Sequence, residues 1–161
     1  MNARFLVFVN RESADWPLPR TANVERVVCD VSGTSRARRY LFEQWDFPWR
    51  LRSTGVRLVH SLGYVAPLRA PCPSVLTIPD LNYRAFGSQM PLVRRLALAW
   101  FVRRSAQRAA RIITISDFAR REIAATFGVG LDAITVTHLA PLLRTVVPGS
   151  EAESRLAKLG I

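Results

Sequence analysis

The sequence predicts an α/β protein with a doubly wound, mostly parallel sheet, and three observations carry that reading. Short apolar runs rich in β-branched residues recur at Phe5–Val9, Val24–Cys29, Val56–Val59, Val75–Ile78, Ile112–Ile115 and Ala133–Thr137, each of the length and composition of a buried strand. Stretches with apolar residues at helical spacing separate most of them, the pattern of a parallel sheet covered on both faces. Four of the runs also end in polar groups, namely His60-Ser61, Asp80, Ser116 and His138. Open α/β sheets bind ligands in the crevice outside the carboxyl ends of their strands, so this recurrence is the first functional clue.

Taken in order, Phe5–Val9 is a buried strand and Asn10–Arg20 a loop broken by Trp16-Pro17-Leu18-Pro19. Val24–Cys29 alternates enough to be the second strand. A helix starts near Arg36, Pro48 interrupts it and opens a short second helix, and Gly55 ends that one. Tyr40, Phe42, Trp45, Phe47 and Trp49 make the segment aromatic-rich, which suits packing or a surface that faces lipid or acceptor. Val56–His60 is the third strand. Pro67, Pro71 and Pro73 stiffen the passage to the fourth, Val75–Ile78. After an irregular loop, Asp80–Met90, Pro91 fits the first turn of a long helix reaching about Ala110. The fifth strand turns directly into a helix over Asp117–Phe127. Ser116 is suited to cap it, Asp117 to complement its dipole and Gly128 to close it, with Phe118, Ile123 and Phe127 as the apolar positions. Beyond the last strand, from Pro141, the chain reads as the start of a linker ending in a weak helical fragment, Ala152–Leu159.

At 161 residues the chain is most simply one domain, and 49% hydrophobic with 22% charged residues is a globular composition. The formal net charge is +11, and Lys158 is the only lysine, so the positive charge is almost all arginine. Arginine suits phosphate and carboxylate partners, although base composition of the gene explains a lysine-poor chain equally well. No apolar run approaches the roughly 20 residues needed to span a bilayer. The first ten residues lack the layout of a signal peptide, and Cys29 and Cys72 have no metal or redox spacing. A cytoplasmic protein with reduced cysteines is the expectation, with peripheral attachment to the cytoplasmic membrane face as a further option.

Neither G-x-G-x-x-G nor G-x-x-x-x-G-K-[ST] occurs, and no G-x-S-x-G or clustered His/Cys motif is present. A self-contained dinucleotide or nucleoside-triphosphate site, a metal site and a bound cofactor are therefore not expected. The helix after Pro91 carries Arg94, Arg95, Arg103, Arg104 and Arg108 around Trp100. These arginines form either a solvated face of a packed amphipathic helix or a surface for anionic lipid. Nucleic acid is the weaker partner, because no recognised reader motif accompanies the charge.

Four stretches, in order, carry a family resemblance: V-R-L-V-H-S-L-G-Y-V-A-P-L (Val56–Leu68), S-V-L-T-I-P-D-L-N-Y (Ser74–Tyr83), R-I-I-T-I-S-D-F-A-R-R-E-I (Arg111–Ile123) and I-T-V-T-H-L-A-P (Ile134–Pro141). Together they resemble the acceptor-side, N-terminal domain of glycosyltransferase family 4, whose members have the two-domain GT-B architecture. The resemblance implies a Rossmann-like sheet over residues 1–140, one GT-B half. It further implies retaining, metal-independent, hexosyltransferase-type transfer from a nucleotide-sugar donor to a sugar or lipid-linked acceptor. Ser61, Gly63, Tyr64, Asp80, Ser116 and His138 match positions around the cleft; no catalytic residue is assigned.

The chain departs from the family in three places. Pro79 stands where a histidine is frequent, and Leu139-Ala140 where the family has Asn-Gly. The family's first strand with its glycine-rich loop, and the donor-binding domain expected after the linker 141–161, are not found in these residues. A fragment that is inactive alone is thus the expectation, against a non-catalytic module binding anionic membrane lipid or nucleic acid, or an inert product of a disrupted gene. In the family the first strand lies between the strands matched by Phe5–Val9 and Val56–Val59. Here those two should either pair directly or leave open edges, at about 1–3 kcal/mol for each buried unpaired backbone group.

Overall fold

A computed structural model describes residues 3–19, 21–82, 91–140 and 149–158; most of the expected loop Asp80–Met90 and the linker residues 141–148 lie outside these. The order is β1 (Phe5–Val9), β2 (Val24–Val28), α1 (Arg36–Leu41), a π turn (Phe42–Asp46), α2 (Phe47–Thr54), β3 (Val59–Ser61), β4 (Ser74–Thr77), α3 (Leu92–Arg108), β5 (Arg111–Thr114), α4 (Asp117–Phe127), β6 (Ile134–Val136) and α5 (Gly149–Lys158). The mixed α/β class with parallel strands is as the sequence predicts. β1 has the expected limits, and the other strands shift by one to three residues, most at β3, which starts at Val59 rather than Val56.

The strands form two ladders rather than one. β1 pairs in parallel with β2, Phe5 opposite Val24 and Val9 opposite Val28. The other four strands are parallel in the order β3-β4-β5-β6. Direct pairing of β1 with β3 is therefore not made, and β1 is half-exposed rather than buried. The helical stretch between the sheets gives the reason. It packs on β1 through Phe8 and Phe47, whose ring centroids are 5.0 Å apart. It is also tied to the chain after β3 by Gln44, whose side chain donates to the Ala66 carbonyl and accepts from the Leu68 N–H. A helix with its side chains is about 10–12 Å across, against about 4.8 Å between laddered strands. Helix packing, rather than a ladder, sets how the two sheets approach.

Pro48 acts one turn earlier than the sequence suggests. Having no N–H, it cannot bond the carbonyl of Gln44 four residues back. The chain opens into a π turn just before it, where the Phe47 N–H bonds the Phe42 carbonyl. α2 then runs to Gly55, which takes a left-handed conformation at φ 65° that side chains with a Cβ rarely adopt.

The core gathers on the four-stranded sheet. Leu76, Ile78 and Ile112 meet Val102 and Ala106 of α3 and Ala119, Ile123 and Phe127 of α4. The buried stripe of α4 falls on residues spaced by four, and Phe118, about 100° off it, is 72% exposed. That corrects Phe118 as a core position. Ser116 Oγ accepts from the Ala119 N–H at 3.1 Å and Gly128 closes the helix at φ 68°, as its residue types predict. On α3 only the second half is buried, at Val102, Ser105 and Ala106.

Candidate functional site

β3, β4, β5 and β6 run the same way, so their carboxyl ends share one edge. By register, Ser61 stands opposite Leu76, Thr77 opposite Ile113 and Thr114 opposite Val136. The ladder continues just past the strands, through Ile78 N–H to the Ile113 carbonyl at 2.9 Å and Thr137 N–H to the Thr114 carbonyl at 2.8 Å. The segments holding Ser61, Asp80, Ser116 and His138 therefore leave the sheet on the same side.

Asp80 accepts three hydrogen bonds there. Its Oδ1 accepts from the Tyr64 hydroxyl at 3.0 Å and from the Asn82 backbone N–H at 3.0 Å; its Oδ2 accepts from Asn82 Nδ2 at 2.9 Å. Beneath it, the fully buried Thr114 donates its hydroxyl to the Pro79 carbonyl at 3.1 Å. That bond ties the turn carrying Asp80 to β5. Pro79 supplies no side-chain donor or acceptor, but its carbonyl anchors the turn. Next to Asp80's strand, His60 Nε2 lies 2.9 Å from Thr77 Oγ1.

The other candidates are placed as follows. Ser61 is half-buried at the end of β3. Ser116 spends one lone pair on capping α4 and keeps its O–H as a donor. Gly63 is exposed, with no heavy atom within 4 Å of where a Cβ would stand, so the fold does not require glycine there. His138 is exposed beyond β6. The structure thus joins Tyr64 directly to Asp80 and sets Ser61, Ser116 and His138 at the same edge without a bond between them.

The five arginines of α3 are exposed, apart from this edge in role. Arg108 donates to the Leu68 carbonyl at 2.6 Å, and Arg104 lies over the Trp100 ring at 6.0 Å. Among the described residues, no group of three His, Cys, Asp or Glu side chains stands close enough to hold a metal ion. Cys29 and Cys72 are free thiols, both pushed above the ordinary range by burial. Glu43, on the π turn, is also raised by burial, which outweighs the opposing pull of Arg39. Arg39 Nε lies 3.4 Å from Glu43 Oε1 but is not aligned to hydrogen-bond it.

Sequence reasoning passes over Gln44, Ser105 and Thr114, which fix the loops around the edge. Only Thr114 carried a visible signal: a polar residue in an isoleucine strand needs a partner if buried.

A parallel α/β layer with its polar groups gathered at one carboxyl edge is the layout of a Rossmann-like domain, a class whose ligands bind at that edge. Residues 3–140 match the model of Glycosyltransferase Family 4, and the chain belongs to that family. Membership carries a glycosyltransferase-type function, with a nucleotide-sugar donor and a sugar acceptor as its general substrates. No curated protein and no solved structure matches the chain. No helix among the described residues is long and apolar enough to cross a membrane.

Proposed function

We propose that residues 1–140 are the acceptor-side domain of a retaining glycosyltransferase and that the 161-residue chain, tested alone, does not transfer sugar. The Tyr64–Asp80–Asn82 cluster at the carboxyl edge carries the reading, within the span that matches the family. Asp80 is held from three directions, so its remaining lone pairs are aimed before a ligand arrives, and an acceptor hydroxyl meets a fixed hydrogen-bond acceptor. Ser116 and His138 offer donors on the same side. In that two-domain architecture the nucleotide sugar is held by the other half, so residues 1–140 alone are not expected to bind the donor.

Calorimetry with a panel of UDP- and GDP-sugars tests the first half of the proposal. No binding at the affinity of an intact donor site is expected, and clear micromolar binding would refute it. Ligand-observed NMR with mono- and disaccharides tests the second half. Contacts should be lost in Asp80→Asn with the fold unchanged; equal contacts in both proteins would remove Asp80 from the acceptor site.

A further inference from the structure

The first half of α3 is the wrong way out for a packed helix. Val93 is 81% exposed, Leu96 60% and Trp100 51%, while the buried positions lie in the second half. The π-turn helix shows the same feature, with Trp45 56% and Trp49 69% exposed. The two helical stretches are neighbours in the fold. Tyr40 of α1 stacks on Phe101 of α3 at 6.0 Å. Gln44 and Ser105 both bond Ala66, and Gln44 and Arg108 both bond Leu68.

The charge on the two helical stretches is one-sided. Residues 36–54 and 92–108 hold ten arginines against two acids, Glu43 and Asp46. Guanidinium groups lie over the exposed tryptophans, Arg69 at 4.7 Å from the Trp45 centroid, Arg52 at 5.1 Å from Trp49 and Arg104 at 6.0 Å from Trp100. Tryptophan favours the headgroup level of a bilayer, and an amphipathic helix with arginines beside apolar residues suits its surface. Exposed Val93 and Leu96 need an apolar phase and the arginines need anions. One partner presents both at adjacent depths.

The geometry points to peripheral docking of this double-helix face on an anionic lipid bilayer. Trp45, Trp49 and Trp100 would enter the headgroup region and Arg103 and Arg104 would meet lipid phosphate. This goes beyond sugar transfer and is independent of it, since its test needs neither donor nor acceptor.

The test is co-sedimentation of the 161-residue chain with vesicles of phosphatidylcholine alone and of phosphatidylcholine mixed with phosphatidylglycerol, at low and high salt. Binding is expected only to the anionic vesicles, with a blue shift of tryptophan emission, and should weaken with salt as the screening length falls from about 8 Å toward 3 Å. Replacing Arg103 and Arg104 with Ala should lower partitioning roughly thirty-fold, about 2 kcal/mol for two charges at the surface. Val93→Ser with Leu96→Ser should lower it at unchanged charge. Unaltered circular dichroism shows that these exposed substitutions leave the fold intact. Equal sedimentation with neutral vesicles, or no loss in either double variant, overturns the proposal. So does a lipid-free dimer abolished by Val93→Ser with Leu96→Ser, because a second copy would then be the occupant. Binding to duplex DNA as tight as to anionic vesicles and indifferent to those serines would overturn it as well.

Discussion

Replacing Ser105 with alanine removes a hydroxyl that is 1% exposed and serves one residue twice. Its Oγ accepts from the Ala66 N–H at 3.0 Å and donates to the Ala66 carbonyl at 3.4 Å. The carbonyl has a second donor, Gln44 Nε2 at 3.1 Å, whereas the N–H has no other acceptor among the described residues. In Ser105→Ala one buried N–H is thus orphaned, at about 1–3 kcal/mol, while the carbonyl stays paired. Gln44→Ala loses its bonds to Ala66 and Leu68 in a half-buried setting and should cost about 1 kcal/mol. Only the double variant strips the Ala66 carbonyl of both donors. It should therefore be less stable than the sum of the singles by roughly 1 kcal/mol, outside the 0.5 kcal/mol within which independent sites add. Urea unfolding of the four proteins at a shared m-value measures this. Additive losses, or a Ser105→Ala loss below about 0.5 kcal/mol, would show that Ala66 finds water and that the buried bond does not hold α3 to the 66–68 segment.

Two further outcomes test local features. Ser116→Ala should lose about 1 kcal/mol with its cap to Ala119, and Ser116→Gly only a few tenths, so equal thermal shifts for the two would contradict the capping role. Glu43 has its folded-state pKa above the ordinary 4.5 because of burial. A raised acid binds its proton more tightly in the folded state, so its ionisation works against folding as pH climbs through and above 4.5, and the penalty vanishes below it. Glu43→Gln should accordingly gain stability over the parent at neutral pH and not in acid; a gap that stays constant across a pH titration of urea midpoints would refute this.

How far the fold was legible follows from which signals are local. The turn from β5 into α4 was readable in full, because Ser116, Asp117 and Gly128 each act on backbone groups within a few residues of themselves. The edge of polar groups was readable too, since the carboxyl ends of parallel strands must lie together. Phe118 misled because its type says core, while the stripe is set by Ala119, whose small side chain gives a weak signal. The relation of β1 to β3 was not legible. It depends on where a helix tied down by Phe47 and Gln44 sits on two sheets, and no residue in either strand records that. Nor does the sequence show that Val93, Leu96 and Trp100 face outward, for a run of leucines on a helix reads as core until its neighbours are placed.

The π turn before Pro48 has a consequence for the phase of everything after it. An α-helix advances by about 100° per residue, so accommodating a wider turn at Phe42–Asp46 resets which residues of α2 face inward. Tyr40 before the turn lies against Phe101, and Pro48 and Leu51 after it are buried. One residue more between them, with no further wide turn to take it up, would rotate α2 by about 100° about its axis. That rotation would carry Leu51 out of the interior. The segment therefore resists lengthening by rotation rather than by reach, and a single-residue insertion here is the change that the domain should tolerate least.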